Sequence, residues 1–175
     1  VFFKREEIGV DGALLRDNTV FIYKVNFIEK ILATVLAKIT NFIPEGGIWM
    51  NTQRPEWNDA NNALVGNGVS MVTLYYLRRF LCFFETIVTN SESKDFHISE
   101  ELHVFFTQVT DGLKQHKSLL NGTISDVDRK SIMDLLGEAG SLFRNSIYEN
   151  RFSGGKDVVT KEDLVSFLDV ATAFL

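Results

Sequence analysis

The chain has 175 residues, of which 45% are hydrophobic and 23% are charged, which is the composition of one globular domain with a core of its own. The net charge is -5, and no run of Lys or Arg is longer than a pair, which argues against nucleic acid as a partner. The single cysteine, Cys82, excludes an internal disulfide, and its apolar neighbours predict a buried thiol.

The first half of the chain predicts two helices. Residues 1–19 show no hydrophobic period, which indicates irregular structure. Apolar residues then recur every three or four positions, which predicts a helix over 20–42 that ends before Pro44. A second helix is predicted over 60–89. Because its residues are apolar nearly all round, we expect it to be the most buried element, with Tyr75 covered by other helices.

The second half predicts three amphipathic helices separated by polar connectors, over 97–120, 126–149 and 160–175. Ser125 and Thr160 each stand three residues before an aspartate, so we expect their hydroxyl groups to cap the last two helices. The pattern therefore predicts an all-α fold, an array of about five helices in antiparallel hairpins. This array would be a single helical domain or a fragment of a larger domain.

Several classes of site are not expected. The three histidines, His97, His103 and His116, do not have the spacing of metal ligands, and no glycine-rich phosphate loop is present. We therefore expect no metal and no cofactor. Charges within the most apolar stretch, residues 69–88, also argue against a membrane span. The sequence assigns no compartment.

One long segment without a hydrophobic period, residues 43–60, contains both tryptophans and both prolines. Long loops in compact domains are uncommon and often functional. The stretch from Glu56 to Asn62, at the end of this segment and the start of the next helix, brings together carboxylates, amides and an indole. Amides and carboxylates bind sugar hydroxyls, an indole stacks on a pyranose, and a carboxylic acid can protonate a glycosidic oxygen. These groups can equally be structural, with Asp59 capping a helix and Trp57 filling the core.

The string Pro55-Glu56-Trp57-Asn58-Asp59-Ala60-Asn61-Asn62 resembles the Trp-Asn-Asp-x-x-Asn segment of the (α/α)6-toroid glycoside phosphorylases and hydrolases, of the cellobiose-phosphorylase type in particular. The resemblance implies a toroid fold, a carbohydrate ligand and Asp59 as the general acid. In that family a Gly-Asp type of sequence usually precedes the tryptophan, where this chain differs. The candidate substrate-binding residues are Arg54, Glu56, Trp57, Asn58 and Asn62.

The resemblance also implies that the chain is a fragment. A toroid of six hairpins needs about twelve helices, on the order of 400 residues at typical helix and loop lengths. The fragment alone would be inactive, and its partners would be carbohydrate and the remainder of the parent polypeptide. The alternative is a non-catalytic helical interaction or structural module. Trp57, Asn58 and Asp59 line a concave surface under the first hypothesis, and are buried or capping under the second.

A general acid also requires a suitable pKa. The dipole of a helix lowers the pKa of a carboxyl group at its N-terminus, whereas a proton donor needs a raised pKa. If Asp59 begins the second helix, desolvation by nearby aromatic residues, together with the charge of Glu56, must outweigh the dipole. The position of Asp59 relative to that helix therefore matters for the catalytic hypothesis.

Overall fold

The computed structural model of the protein describes residues 22–51 and 67–175. Within these ranges five α-helices, a short 3-10 helix and two small antiparallel sheets are present. The prediction of an all-α fold, and of a toroid built only from helical hairpins, was therefore wrong. In chain order the elements are α1 (Phe27–Ile39), β1 (Phe42–Ile43), β2 (Gly47–Asn51), β3 (Asn67–Ser70), α2 (Met71–Asn90), β4 (Asp95–Ser99), α3 (Glu100–Gln115), the 3-10 helix (Lys117–Asn121), α4 (Asp126–Asn150), β5 (Lys156–Thr160) and α5 (Lys161–Phe174).

The first sheet has the order β1-β2-β3 and occupies part of the segment predicted to be a loop. Pro44, Glu45 and Gly46 form the tight turn between β1 and β2. In this turn the Gly46 N–H donates to the carbonyl of Ile43 at 2.9 Å, and Glu45 has a φ of 59°. Gly47 has a φ of 139°, and a Cβ at this position would lie 2.8 Å from Cγ1 of Val69. This position in β2 therefore requires glycine.

The second sheet pairs β4 with β5 from Asp95 opposite Thr160 to Ser99 opposite Lys156. The sequence pattern placed His97 at the start of a helix, but this residue lies in β4. The two strands are separated in the chain by α3 and α4, so hydrophobic periodicity in a local window does not reveal their pairing. Each strand is also only five residues long.

The most central helix of the described residues is α3, which packs against α1, α4, α5 and both strands of the second sheet. Its Leu102, Phe105 and Val109 are buried. The helix predicted to be central, α2, instead packs mainly on α5 and β2 through a single stripe. This stripe consists of Leu74, Leu77, Leu81, Phe84 and Val88.

Two predictions for α2 were wrong. Tyr75 is 63% exposed rather than covered by other helices, and Cys82 is exposed rather than buried. An apolar surface all round a helix indicates that something covers it, but the described residues of this chain cover only one side. No helix within residues 22–51 and 67–175 combines the length and the hydropathy needed to cross a membrane.

Two helices begin later than predicted. The N-cap of α1 is Asn26, whose Oδ1 accepts a hydrogen bond from the Glu29 N–H at 2.8 Å. The predicted start of this helix, at residue 20, lies outside the described residues. The second helix, α2, begins at Met71 rather than near residue 60 because the strand β3 precedes it.

Both predicted caps in the second half of the chain are confirmed. Ser125 Oγ accepts a hydrogen bond from the N–H of Asp128 at 3.1 Å, and Thr160 Oγ1 accepts one from the N–H of Asp163 at 3.0 Å. Each hydroxyl group also donates to the carboxylate of the same aspartate at 2.6 Å. These bonds set the start of α4 and α5.

Replacement of Ser125 or Thr160 by alanine should lower the free energy of unfolding by about 1 kcal/mol, because one backbone N–H of the first turn loses its acceptor. Urea titration measures this change. Ser146→Ala is the matched control, since this residue lies inside α4 where alanine is favoured. A loss below about 0.3 kcal/mol for both cap variants would contradict the assignment.

Candidate functional site

The residues predicted to form a sugar site all fall within residues 52–66, which lie outside the described residues. The structure does describe the strands on both sides of this segment. Asn51 at the end of β2 is paired with Asn67 at the start of β3, so the segment leaves and re-enters the first sheet at one place. The predicted site residues in question are Arg54, Glu56, Trp57, Asn58, Asp59 and Asn62.

The sheet that carries this segment is fixed to the rest of the protein by Arg129 at the start of α4. Its Nε donates to the carbonyl of Pro44 at 3.1 Å, and its Nη2 pairs with Glu45 Oε2 at 2.7 Å. The guanidinium group also forms an ion pair with Asp126. These bonds hold the β1–β2 turn of the first sheet against α4.

Trp49 lies in β2, close to the point where the segment begins. Its neighbour Ile48 is fully buried, and because side chains alternate along a strand, the indole of Trp49 lies on the opposite side and is 43% exposed. It lines a recess of about 390 Å³ together with Thr40, Asn41 and Met133. An exposed indole beside a hydroxyl and an amide is a surface that suits a sugar ring.

The polar side chains of this recess are held in place by α1. Thr40 Oγ1 and Asn41 Nδ2 both donate to the carbonyl of Ala37, at 3.2 and 2.8 Å. The backbone N–H of Trp49 donates to the carbonyl of Asn41 at 2.7 Å. The indole, the amide and the hydroxyl are thus fixed to one another through the backbone at the end of α1.

Asp59 was also considered as a helix cap, but it is not the N-cap of α2. The N-cap of this helix is Ser70, whose Oγ accepts a hydrogen bond from the Thr73 N–H at 3.1 Å. The cap of α2 is thus provided by another residue, which follows Asp59 in the chain by about three helical turns' worth of residues.

A second group of polar residues lies where α1 meets the second sheet. Glu29 is only 2% exposed, and its carboxylate accepts hydrogen bonds from the Ser99 N–H at 3.1 Å and from Lys156 Nζ at 2.8 Å. The ammonium group of Lys156 also lies 4.7 Å from the ring centroid of Tyr23, which stacks on Phe152. This group could not be predicted from the sequence because its members are far apart in the chain.

The protonation of Lys156 limits what this group can do. Burial lowers the pKa of Lys156, but the hydrogen bond to Glu29 and the neighbouring Tyr23 outweigh this effect and raise the pKa above its ordinary value of 10.5. A lysine that stays protonated at neutral pH is neither a base nor a nucleophile. The group therefore acts as a link between α1 and β5. No cluster of three potential metal ligands occurs in the described part of the chain.

Among the described residues, several large apolar side chains are exposed together on one side of α2. Their apolar character is evident from the sequence, but they were predicted to be buried within the chain and are exposed instead. An exposed apolar patch of this extent is typical of a contact surface. Its members are Met71, Val72, Tyr75, Tyr76, Phe80, Phe83 and Ile87.

Comparison with known proteins assigns no family. No protein-family model matches the sequence, and no curated protein is similar enough to be a relative. The resemblance of residues 55–62 to glycoside phosphorylases and hydrolases therefore stays a prediction based on that segment.

Proposed function

We propose that the chain is part of a protein that binds carbohydrate and cleaves glycosidic bonds, with Asp59 as the general acid. The observation that best supports this proposal is the exposed indole of Trp49. It lies in the strand that leads directly into the segment with Trp57, Asn58 and Asp59, and it lines a recess with polar side chains. The proposal is independent of the toroid fold.

The chemistry assigns a role to each predicted residue. Asp59 delivers a proton to the glycosidic oxygen as the bond to the anomeric carbon breaks, so that the leaving group departs as a neutral alcohol. Water or phosphate then takes the place of the leaving group at the anomeric carbon. Trp57 stacks on the sugar, and the amide and charged groups bind its hydroxyls. These polar groups belong to Arg54, Glu56, Asn58 and Asn62.

The position of the α2 cap also supports this proposal. Because Ser70 caps α2, a role for Asp59 as the cap of that helix is removed. The segment that contains Asp59 leaves and re-enters the first sheet at one place. The pairing of Asn51 with Asn67 keeps that place next to Trp49.

Trp49→Ala should weaken oligosaccharide binding by roughly tenfold, because a stacked aromatic group contributes about 0.5–1.5 kcal/mol beyond the area it buries. Calorimetric titration of the protein that contains this chain, against a panel of glycosides with and without phosphate, measures the effect. Tyr148→Ala is the matched control, since this aromatic residue is exposed on α4. Absence of binding across the panel, or an equal loss in both variants, would refute the proposal.

A second candidate function is a non-catalytic interaction module, which the exposed apolar side of α2 favours. Such a side requires a cover, either from the remainder of the parent polypeptide or from a separate protein. Sugar binding that depends on Trp49 distinguishes the first function from the second. If no sugar binds and α2 still contacts a partner, the interaction module is the better description.

A further inference from the structure

We propose that the groove between α1 and α2 binds an amphipathic α-helix with acidic residues beside its apolar stripe. The proposal does not depend on the sugar site. It specifies the kind of partner that the second candidate function, the interaction module, would bind. It follows from the shape of the groove, the spacing of the side chains along α2 and the charges at the edges.

The groove is an apolar recess of about 460 Å³. The two helices on either side pack mainly against other elements, α1 on α3 and α2 on α5, which leaves space between them. Val35 and Leu77 are buried at its base, whereas Phe27, Tyr76 and Phe80 are exposed at its walls. A groove with an apolar base and aromatic walls suits the apolar face of a helix.

The spacing of apolar residues along α2 favours a helical partner. Tyr76, Phe80, Phe83 and Ile87 follow one another at intervals of four, three and four residues, and all four are exposed. This is the spacing with which one helix packs along another. From Tyr76 to Ile87 the helix rises about 16 Å, which corresponds to roughly three turns of a partner helix.

The charges at the edges predict an acidic partner. Lys30 and Lys38 line the groove on the α1 side and are exposed, and Arg79 is exposed beside the apolar row on α2. Among the described residues no acidic side chain lines the groove, and none forms an ion pair with Lys30 or Lys38. The whole chain has a net charge of -5, so these cationic edges are a local feature.

The same charges argue against a second copy of the chain as the occupant. In a two-fold symmetric pair each copy presents the same surface, so a pair built on this groove would bring like cationic edges together. Like charges at close range oppose association. A partner helix with Asp or Glu beside its apolar stripe instead forms ion pairs with Lys30, Lys38 and Arg79.

Two synthetic helical peptides of about four turns test the proposal. Both have leucine at the same three- and four-residue spacing, and the flanking positions are glutamate in one and lysine in the other. Fluorescence anisotropy with the 175-residue chain should show at least about tenfold tighter binding of the glutamate peptide, and this preference should weaken as salt increases. Equal affinity for the two peptides would overturn the proposal.

Charge reversal identifies the groove as the binding site. The double variant Lys30→Glu/Lys38→Glu should reverse the preference and bind the lysine peptide more tightly. Lys94→Glu/Lys117→Glu is the matched control, because it changes the net charge equally with residues that do not line the groove. If the control pair also reverses the preference, net charge alone accounts for binding and the proposal fails.

A final measurement tests whether a second copy of the chain binds to α2. Sedimentation of the chain at increasing concentration should show a monomer in the absence of peptide. A dimer that Phe83→Ser abolishes would mean that a second copy covers α2, and would overturn the proposal. Since Phe83 is 61% exposed, this variant should retain its melting temperature, which circular dichroism verifies.

Discussion

Asp59→Asn should lower the turnover of an unactivated glycoside by about 10²- to 10⁴-fold in the protein that contains this chain, the usual contribution of a positioned proton donor. Asparagine keeps the size and much of the hydrogen bonding of aspartate but has no proton to deliver. The loss should appear in kcat, because the proton moves only in the transition state. Steady-state kinetics with an unactivated disaccharide measure it.

The dependence on the leaving group tests the mechanism more strictly. A nitrophenyl or fluoride leaving group departs without protonation, so Asp59→Asn should affect these substrates far less. Glu56→Gln is the matched control, since this neighbouring carboxylate is assigned to substrate binding and its loss should mainly raise KM on every substrate. Wild-type activity of Asp59→Asn on all substrates would reject the general acid, and equal losses on good and poor leaving groups would indicate a disrupted segment.

Local features of the fold could be predicted from the sequence with the greatest success. A helix cap depends on residues three positions apart, so the short windows around Ser125 and Thr160 contain all the necessary information. The second sheet depends on pairing between Asp95–Ser99 and Lys156–Thr160, which are distant in the chain. No local pattern reports that pairing, and this is why an all-α fold was predicted in error.

For α2, the sequence predicted which residues are apolar but not which of them are covered. Its apolar residues were identified correctly, and the stripe that contains Leu81 and Phe84 is buried as expected. A pattern of apolar residues indicates that a surface is covered, but it does not identify what covers it. Tyr75 and Phe83 are exposed because the described residues place α5 on one side of α2 and leave the other side open.

The candidate site was predicted only in part. The chemical character of residues 56–62 is evident from the sequence, but these residues lie outside the described ranges, so their assigned roles stay predictions. The exposure of the Trp49 indole could not be predicted from the residue type alone. It depends on the alternation of β2, which buries Ile48 and exposes the indole.

Removal of the positive charge beside Glu29 should lower the free energy of unfolding by more than the loss of either helix cap. Lys156→Met leaves the carboxylate of Glu29 buried with only the Ser99 N–H as a partner. Breaking a buried ion pair in this way costs about 3–5 kcal/mol, and because Lys156 is partly exposed we expect about 2–3 kcal/mol. Urea titration at neutral pH measures this loss.

Two further variants separate the buried charge from other causes. Lys130→Met removes an exposed lysine that pairs with Asp134, and should lower stability by less than about 0.5 kcal/mol. Glu29→Leu/Lys156→Met removes both buried partners and should recover most of the stability lost in the single variant. Equal losses for Lys130→Met and Lys156→Met would mean that burial of Glu29 has no energetic consequence.

The pH dependence of stability gives an independent measure of the same pair. The pKa of Lys156 is raised in the folded protein, so the folded state holds its proton more tightly than the unfolded state. The stabilisation is therefore complete below the ordinary pKa of 10.5 and disappears as the pH rises through the higher folded value. Wild-type stability should fall more steeply than that of Lys156→Met in this alkaline range. Parallel curves would show that Lys156 and Glu29 do not interact, because the variant lacks the titrating group.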